Sequence, residues 1–198
     1  MPLQKNQKES IFVADNRFLE MMKILLIRHL KVIAKRPAFL TAKQFDEDRI
    51  LYDQAEIEAT QFKIKTEDYP VCYVSSVKRA VETAKLIYEG KYIISDDLIE
   101  VRNAGVFLKM TSLPAFFRSI IGRIAWYFNY SKMPETRFQS EARAKKFIME
   151  MISVENKNTL VITHGFYMHC LKRELRKHGF RGEVSLFPKN GHPYVFEK

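Results

Sequence analysis

Two runs of apolar residues stand far apart in the chain and read alike: Lys23-Ile24-Leu25-Leu26-Ile27 and Thr159-Leu160-Val161-Ile162-Thr163. Neither alternates apolar with polar positions, so each predicts a strand buried on both faces, of the kind found inside parallel sheets. Shorter strands are expected at 71–75 and 92–94. Between them the period changes to that of helices. A helical pattern runs from Thr41, a possible N-cap, to about Phe62, and a second from Val77 to Tyr88, stopped near Gly90. A third opens at Ser140 or Glu141 and reaches about Met151, and a basic one covers about 166–178, ending at Gly179. The tail reads as strands 183–187 and 193–197 around the turn signal Asn190-Gly191. Strands alternating with helices predict an α/β layered domain with a mostly parallel sheet.

Segment 106–139 breaks this alternation. It is rich in aromatics (Phe107, Phe116, Phe117, Trp126, Tyr127, Phe128, Tyr130), and Phe116, Phe117, Ile120, Ile121, Ile124 and Phe128 recur at helical spacing. Lys109, Pro114, Arg118 and Arg123 interrupt it, which argues against a transmembrane helix. The plain expectation is an amphipathic helix packed on the protein's own core. A lid over a site and an interfacial membrane contact are the sharper alternatives. Residues 1–20 are polar, carry both signs of charge and lack the apolar core of a signal peptide. They read as an extension, possible disorder included, ahead of a domain spanning 21–198 with 106–139 as a cap-like insertion.

A chain of 198 residues with 46% hydrophobic and 28% charged residues suits one globular domain. Its net charge of +10 favours anionic partners, among them phosphorylated small molecules, nucleic acid and acidic membrane surfaces. Cys72 and Cys170 form no CxxC pair and read as buried free thiols, which suits a reducing, cytoplasmic setting. No metal-ligand spacing appears, so no cofactor or metal is expected. Lys172, Arg173, Arg176, Lys177 and Arg181 read as a solvated helix face, and His169, His178 and His192 as ordinary histidines.

The candidate chemistry sits where the two central strands end. Arg28-His29 follows the first and His164 follows the other. Ligands of open α/β sheets bind outside the carboxyl ends of the strands, so these residues are expected to converge on one anion-binding spot.

Four pieces then stand in order: Arg28-His29; Ser75-Ser76-Val77-Lys78-Arg79-Ala80-Val81-Glu82-Thr83-Ala84; Leu98-Ile99-Glu100; and Thr163-His164-Gly165. Together they resemble branch one of the histidine phosphatase superfamily, the phosphoglycerate-mutase-like proteins. The second piece is the most specific, with Ser76 where that family usually has Pro and Val77 where it usually has Leu. The resemblance covers about 23–198 apart from the aromatic segment and implies a three-layer α/β/α sandwich. It also implies roles: His29 as nucleophile, Arg28 and Arg79 on the phosphoryl oxygens, His164 completing the phosphate pocket, and Glu100 as proton donor to the leaving group. These residue types suit phosphoryl transfer, which needs positioning and charge neutralisation above all. Glu100 would need a raised pKa to serve near neutrality, and burial beside an anionic substrate is the expected means.

One departure from the family pattern concerns the loop after the Arg-His pair, where Leu30-Lys31 replaces the usual Gly-containing sequence. Leu30 places a Cβ where backbone commonly approaches phosphate, and Lys31 adds a charge. The resulting expectation is a cytoplasmic phosphatase acting through a phosphohistidine on a phosphorylated small molecule or phosphoprotein. A weakly active or non-catalytic phosphoryl-binding or anionic-surface-binding protein is the alternative. A mutase fits less well because the chain is shorter than typical phosphoglycerate mutases, and no recognition motif supports nucleic-acid binding. Oligomeric state and substrate identity are not legible.

Overall fold

The computed structural model describes residues 22–105, 110–154 and 157–198. The expected extension 1–20, and Phe107 and Lys109 of the aromatic segment, lie outside the described residues. The two apolar runs form β1 (Lys23–Arg28) and β6 (Thr159–Thr163), which pair in parallel at the centre of a six-stranded sheet. The other elements are β2 (Phe39–Leu40), α1 (Ala42–Gln54), β3 (Val71–Ser75), α2 (Lys78–Ile87), β4 (Ile93–Ser95), β5 (Leu113–Pro114), α3 (Ala115–Tyr127), α4 (Arg137–Val154), α5 (Tyr167–Lys177), β7 (Arg181–Gly182) and β8 (Pro193–Glu197). The sheet order is β4-β3-β6-β1-β8-β7, with β4, β3, β6 and β1 parallel and β8 antiparallel to both β1 and β7.

Both faces of this sheet are covered. Ile24, Leu26 and Val161 pack with residues of α4 and α5, including Phe147, Ile148, Met168 and Leu171. Leu25, Ile27, Leu160 and Ile162 face the other way, onto Ala80, Ala84 and Ile87 of α2. Successive residues of a strand point to opposite faces, so the uninterrupted apolar runs feed two cores at once. The result is an α/β/α sandwich with a mostly parallel sheet. Cys72 and Cys170 are buried free thiols, and burial pushes both up to about 12. No helix among the described residues is long and apolar enough to cross a membrane.

Several boundaries differ from the sequence expectation. Thr41 does cap α1, in a reciprocal capping box with Gln44. The helix stops at Gln54 rather than near 62, because Glu56–Glu58 is drawn into pairing with Lys31–Ile33: Ile33 N–H donates to Glu56 O at 2.8 Å and Glu58 N–H to Lys31 O at 2.7 Å. Helix α4 begins at Arg137, three residues before Ser140. The reason is a second Thr-x-x-Gln box, in which Thr136 N–H donates to Gln139 Oε1 at 2.8 Å and Gln139 N–H to Thr136 Oγ1 at 3.4 Å. Residues 183–187 are not a strand; β8 takes Arg181–Gly182 as its partner instead. Asn190-Gly191 closes no hairpin but docks on the end of β1, with Gly191 N–H donating to Arg28 O at 2.9 Å.

The largest correction is to α3, whose apolar row does not face the core. Phe116 is 62% exposed and Phe128 75%, with Phe117, Ile120 and Ile124 also exposed. The buried face carries Arg118, Gly122, Ala125 and Trp126. Arg118 donates from Nε to Leu40 O at 2.6 Å and from Nη2 to Thr111 O, and Trp126 Nε1–H donates to Ser140 Oγ at 2.9 Å. Gly122 faces the buried Asn103, whose amide donates to Ser119 O at 3.2 Å. A Cβ at position 122 would sit 1.6 Å from Asn103 Oδ1. Polar anchoring and one close approach therefore orient this helix, against its apolar period.

Substitution Gly122→Ala must displace Asn103 or the helix, and is expected to cost about 1–3 kcal/mol in urea unfolding. Ile120→Ala, on the exposed row, is expected to change stability by less than about 0.5 kcal/mol. The reverse ranking would restore the apolar row to the core.

Candidate active site

The carboxyl ends of β1 and β6 bring Arg28, His29 and His164 together, and α2 adds Arg79. His29 is held by its backbone, N–H to Thr163 O at 2.9 Å, and is almost fully buried. Its Nδ1 lies 2.7 Å from Leu30 O. A carbonyl can only accept, so Nδ1 carries the proton and Nε2 presents its lone pair. Arg79 Nε–H donates to that lone pair at 3.0 Å. Arg79 Nη2 reaches His164 Nδ1 at 3.0 Å, which makes Nδ1 the acceptor and leaves Nε2–H to donate to Ser75 Oγ at 2.8 Å. The third nitrogen, Nη1, pairs with Asp53 of α1. One buried guanidinium thus spans both imidazoles and a carboxylate, and the two rings tilt together with centroids 5.2 Å apart.

Both histidines are held neutral. Burial lowers the His29 pKa well below the ordinary value, and His164 and Arg79 add to this; burial and then Arg79 and Arg28 do the same to His164. Arg28 donates from Nη1 to Pro188 O at 2.8 Å, while its buried Nε has no acceptor. A Cβ at position 165 would lie 3.1 Å from that nitrogen, so Gly165 gives Arg28 its place.

Glu100 lies partly buried beside the N-terminus of α5. Its carboxylate accepts from Val101 N–H at 2.9 Å, Tyr167 N–H at 3.0 Å and Phe166 N–H at 3.2 Å. Burial by itself raises its pKa, but Arg123 and the N–H donors outweigh burial and hold the carboxyl below its ordinary value. The expected raised pKa is therefore not a property of the folded chain alone. Arg143 fixes the segment carrying Glu100, donating to Asp97 O and Ile99 O at 2.8 Å each while paired with Glu135.

The Leu30-Lys31 departure is absorbed without entering the cavity. Leu30 packs its side chain in the α2-side core, and its N–H donates to Thr83 Oγ1 at 2.9 Å. Lys31 pairs with Glu58 at 2.6 Å.

The cavity over these groups measures about 410 Å³. Its lining includes Arg28, His29, Arg79 and Glu100, with His164 buried behind Arg79. The chain's sequence did not single out Arg36, Arg49, Tyr52, Asp53 or Asn103, which line it too. Arg49 and Asp53 share a face of α1 at i,i+4 spacing, but nothing in that spacing distinguishes them from a solvated pair. Helix α3 contributes Phe116, Ser119 and Arg123, so the aromatic segment does form one wall. Its exposed row opens onto a larger apolar cleft of about 930 Å³ that shares Arg28, Glu100, Phe116, Ser119 and Arg123 with the first.

A parallel α/β sheet with two histidines and two arginines at its carboxyl edge defines a class, and the sequence agrees. The chain matches the histidine phosphatase superfamily (branch 1) over residues 24–189 and belongs to that superfamily. No curated protein matches it significantly in sequence. Among solved structures it is similar to a mycobacterial glucosyl-3-phosphoglycerate phosphatase in complex with VO3, at 14% identity and a TM-score of 0.52, covering 88% of this chain and 92% of that one. It is also similar to a phosphoserine phosphatase from Entamoeba histolytica in complex with 3-phosphoglyceric acid, at 16% identity and a TM-score of 0.51, covering 88% and 90%. At such identities the likeness is one of fold.

The neutral histidines carry a pH signature. Unfolded histidine titrates near 6.5, and both folded values lie lower, so between them the unfolded chain binds protons that the folded chain does not. Their contribution to stability is complete above about pH 6.5 and is lost as pH falls toward the folded values. Urea unfolding at pH 7.5, 6.5 and 5.5 is expected to show a decline confined to the lower interval, and a shallower one in His164→Gln. An unchanged slope in that variant would mean His164 titrates normally.

Proposed function

We propose that this protein is a phosphatase that hydrolyses a phosphorylated substrate through a phosphohistidine at His29. The observation that carries the reading is the convergence of a neutral imidazole lone pair, His29 Nε2, with Arg79, Arg28 and His164 at one buried point. Arg28 Nε and the Arg79 guanidinium donate to the phosphoryl oxygens. His29 Nε2 attacks phosphorus as the ester P–O bond breaks, and the charge developing on the equatorial oxygens meets fixed positive groups. Glu100 protonates the departing oxygen. It is ionised in the free protein, but a phosphoryl dianion beside it opposes Arg123 and raises its pKa, so the proton is taken up with substrate. Water then attacks the phosphohistidine, giving up a proton to Glu100, and inorganic phosphate leaves. His164 is a weaker candidate for the acid, because both its nitrogens are engaged, by Arg79 and by Ser75.

A second reading, a phosphoryl-binding protein without turnover, is favoured by one observation. Arg79 occupies the His29 lone pair, and Asp53 occupies Arg79 Nη1, so an incoming phosphoryl group must displace both contacts.

Acid-sensitive label on His29 separates the two. Rapidly quenched wild-type protein is expected to carry an acid-labile phosphoryl group. His29→Ala is expected to lose turnover by at least about a thousandfold while retaining vanadate binding through Arg28, Arg79 and His164. Binding of vanadate with no covalent label in wild type would favour the non-catalytic reading.

For Glu100→Gln, the first chemical step in single-turnover experiments is expected to slow by about 10²–10⁴-fold on an alkyl phosphate and far less on p-nitrophenyl phosphate, whose leaving group departs without a proton. Equal losses on both would make Glu100 an orienting residue.

A further inference from the structure

The ionised cavity and the exposed apolar row of α3 meet at Glu100, which lines both the space over His29 and the apolar cleft beyond it. Phe166 joins the two. Its N–H donates to Glu100 at 3.2 Å, and its ring lines the cleft, edge-on to Trp126 with centroids 4.8 Å apart. Arg123, shared by both spaces, lies 3.7 Å over the same ring. From this junction Phe116, Ile120, Ile124 and Tyr127 line the cleft along about 16 Å of the α3 axis, and Leu186 and Phe187 complete it. A run of that length suits a chain rather than a single ring.

In a phosphomonoester the whole organic part hangs on the ester oxygen, the atom that Glu100 is proposed to protonate. That part must therefore leave the phosphoryl position past Glu100. Away from the cleft the first cavity is walled by Arg36, Arg49 and Asp53, where an apolar group would strip water from charges. Toward the cleft it meets apolar side chains that the polar anchors of α3 keep turned away from the core. Lys172, Arg173 and Arg176 also line the cleft, but each is paired with Glu183 or Glu141, which weakens their pull on an anionic surface. We propose that the cleft receives the leaving group, so that the substrate is the phosphomonoester of an apolar alcohol with an extended alkyl chain. The inference rests on the phosphatase reading for the phosphoryl end and adds the chemistry of the other end. As His29 Nε2 bonds to phosphorus and the P–O bond breaks, the Glu100 proton passes to the ester oxygen and the alcohol is released within the cleft.

Calorimetry on the full chain with two non-hydrolysable probes, octylphosphonate and ethylphosphonate, reads the cleft without turnover. Each fully buried methylene is worth about fourfold in affinity; the probes differ by six methylenes, and half-exposed walls retain part of the gain. Octylphosphonate is expected to bind wild type at least about thirtyfold tighter than ethylphosphonate, and vanadate to displace it. Replacing both Ile120 and Ile124 by Asn is expected to cut that preference at least about tenfold and leave ethylphosphonate within about twofold. Ile124→Ala, expected to lower the preference about threefold, keeps the test open if the double variant folds poorly. Phe117→Ser, at a side chain 55% exposed on the same helix but off the cleft, is expected to keep the preference. Equal affinity of the two probes in wild type, or octylphosphonate that vanadate fails to displace, overturns the proposal. So does an equal loss in Phe117→Ser; if the wild type then also sediments with phosphatidylserine vesicles, the row is a membrane contact. The preference without covalent label on His29 upholds an apolar phosphoryl ligand and rejects the hydrolase reading. A labelled His29 without the preference does the opposite.

Discussion

The Arg79 guanidinium is the contact on which the site depends. It is almost fully buried, and a buried cation survives only where its donors are matched. Here Nε meets His29, Nη2 meets His164 and Nη1 meets Asp53. Each imidazole can accept only if its other nitrogen carries the proton, which Leu30 O and Ser75 Oγ arrange. One side chain therefore sets two tautomers, adds to burial in keeping both rings neutral and engages the His29 lone pair. Helix α2 repeats this economy one turn on, where Thr83 accepts Leu30 N–H and donates to Arg79 O at 2.7 Å.

The sheet supplies the rigidity that such matching needs. Pairing of β1 with β6 places residues 28 and 163 side by side, and His29 N–H continues the ladder onto Thr163 O. Thr163 Oγ1 in turn donates to Leu98 O at 2.8 Å, which ties the Glu100 segment to the same strand end. Asn190 Nδ2 donates to His29 O at 2.8 Å from the far edge. His29 is thus held at both backbone groups, its N–H on Thr163 O and its carbonyl on the Asn190 side-chain amide.

Helix α3 shows a different balance. Its apolar row faces outward onto a cleft because Arg118, Trp126 and the Gly122–Asn103 approach dictate its orientation. Buried polar groups left without partners cost more than exposed apolar groups do, so satisfied polar anchors decide which face turns inward. That choice places Ser119 and Arg123 on the cavity wall and leaves Phe116 at the junction of the two clefts.

The chain's sequence by itself determined the central strands, the helices on either side of them, the Thr41 cap of α1 and the meeting of Arg28, His29, Arg79 and His164. These are legible because continuous apolar runs feed two cores, and because strand ends in a parallel sheet share one edge. The early end of α1 and the missing strand at 183–187 were decided by pairing between distant segments, which a local pattern does not report, whereas the Thr136–Gln139 box that opens α4 is local but lies outside the apolar period from which that helix is read. Only the tertiary structure could decide the rest of the site. The place of Arg49 on the cavity wall, the grip of Asp53 on Arg79 and the ionised state of Glu100 arise from groups that meet across α1, α2, α3 and α5. Charge and burial at such a meeting point depend on what stands opposite each residue, and spacing along the chain carries no record of that.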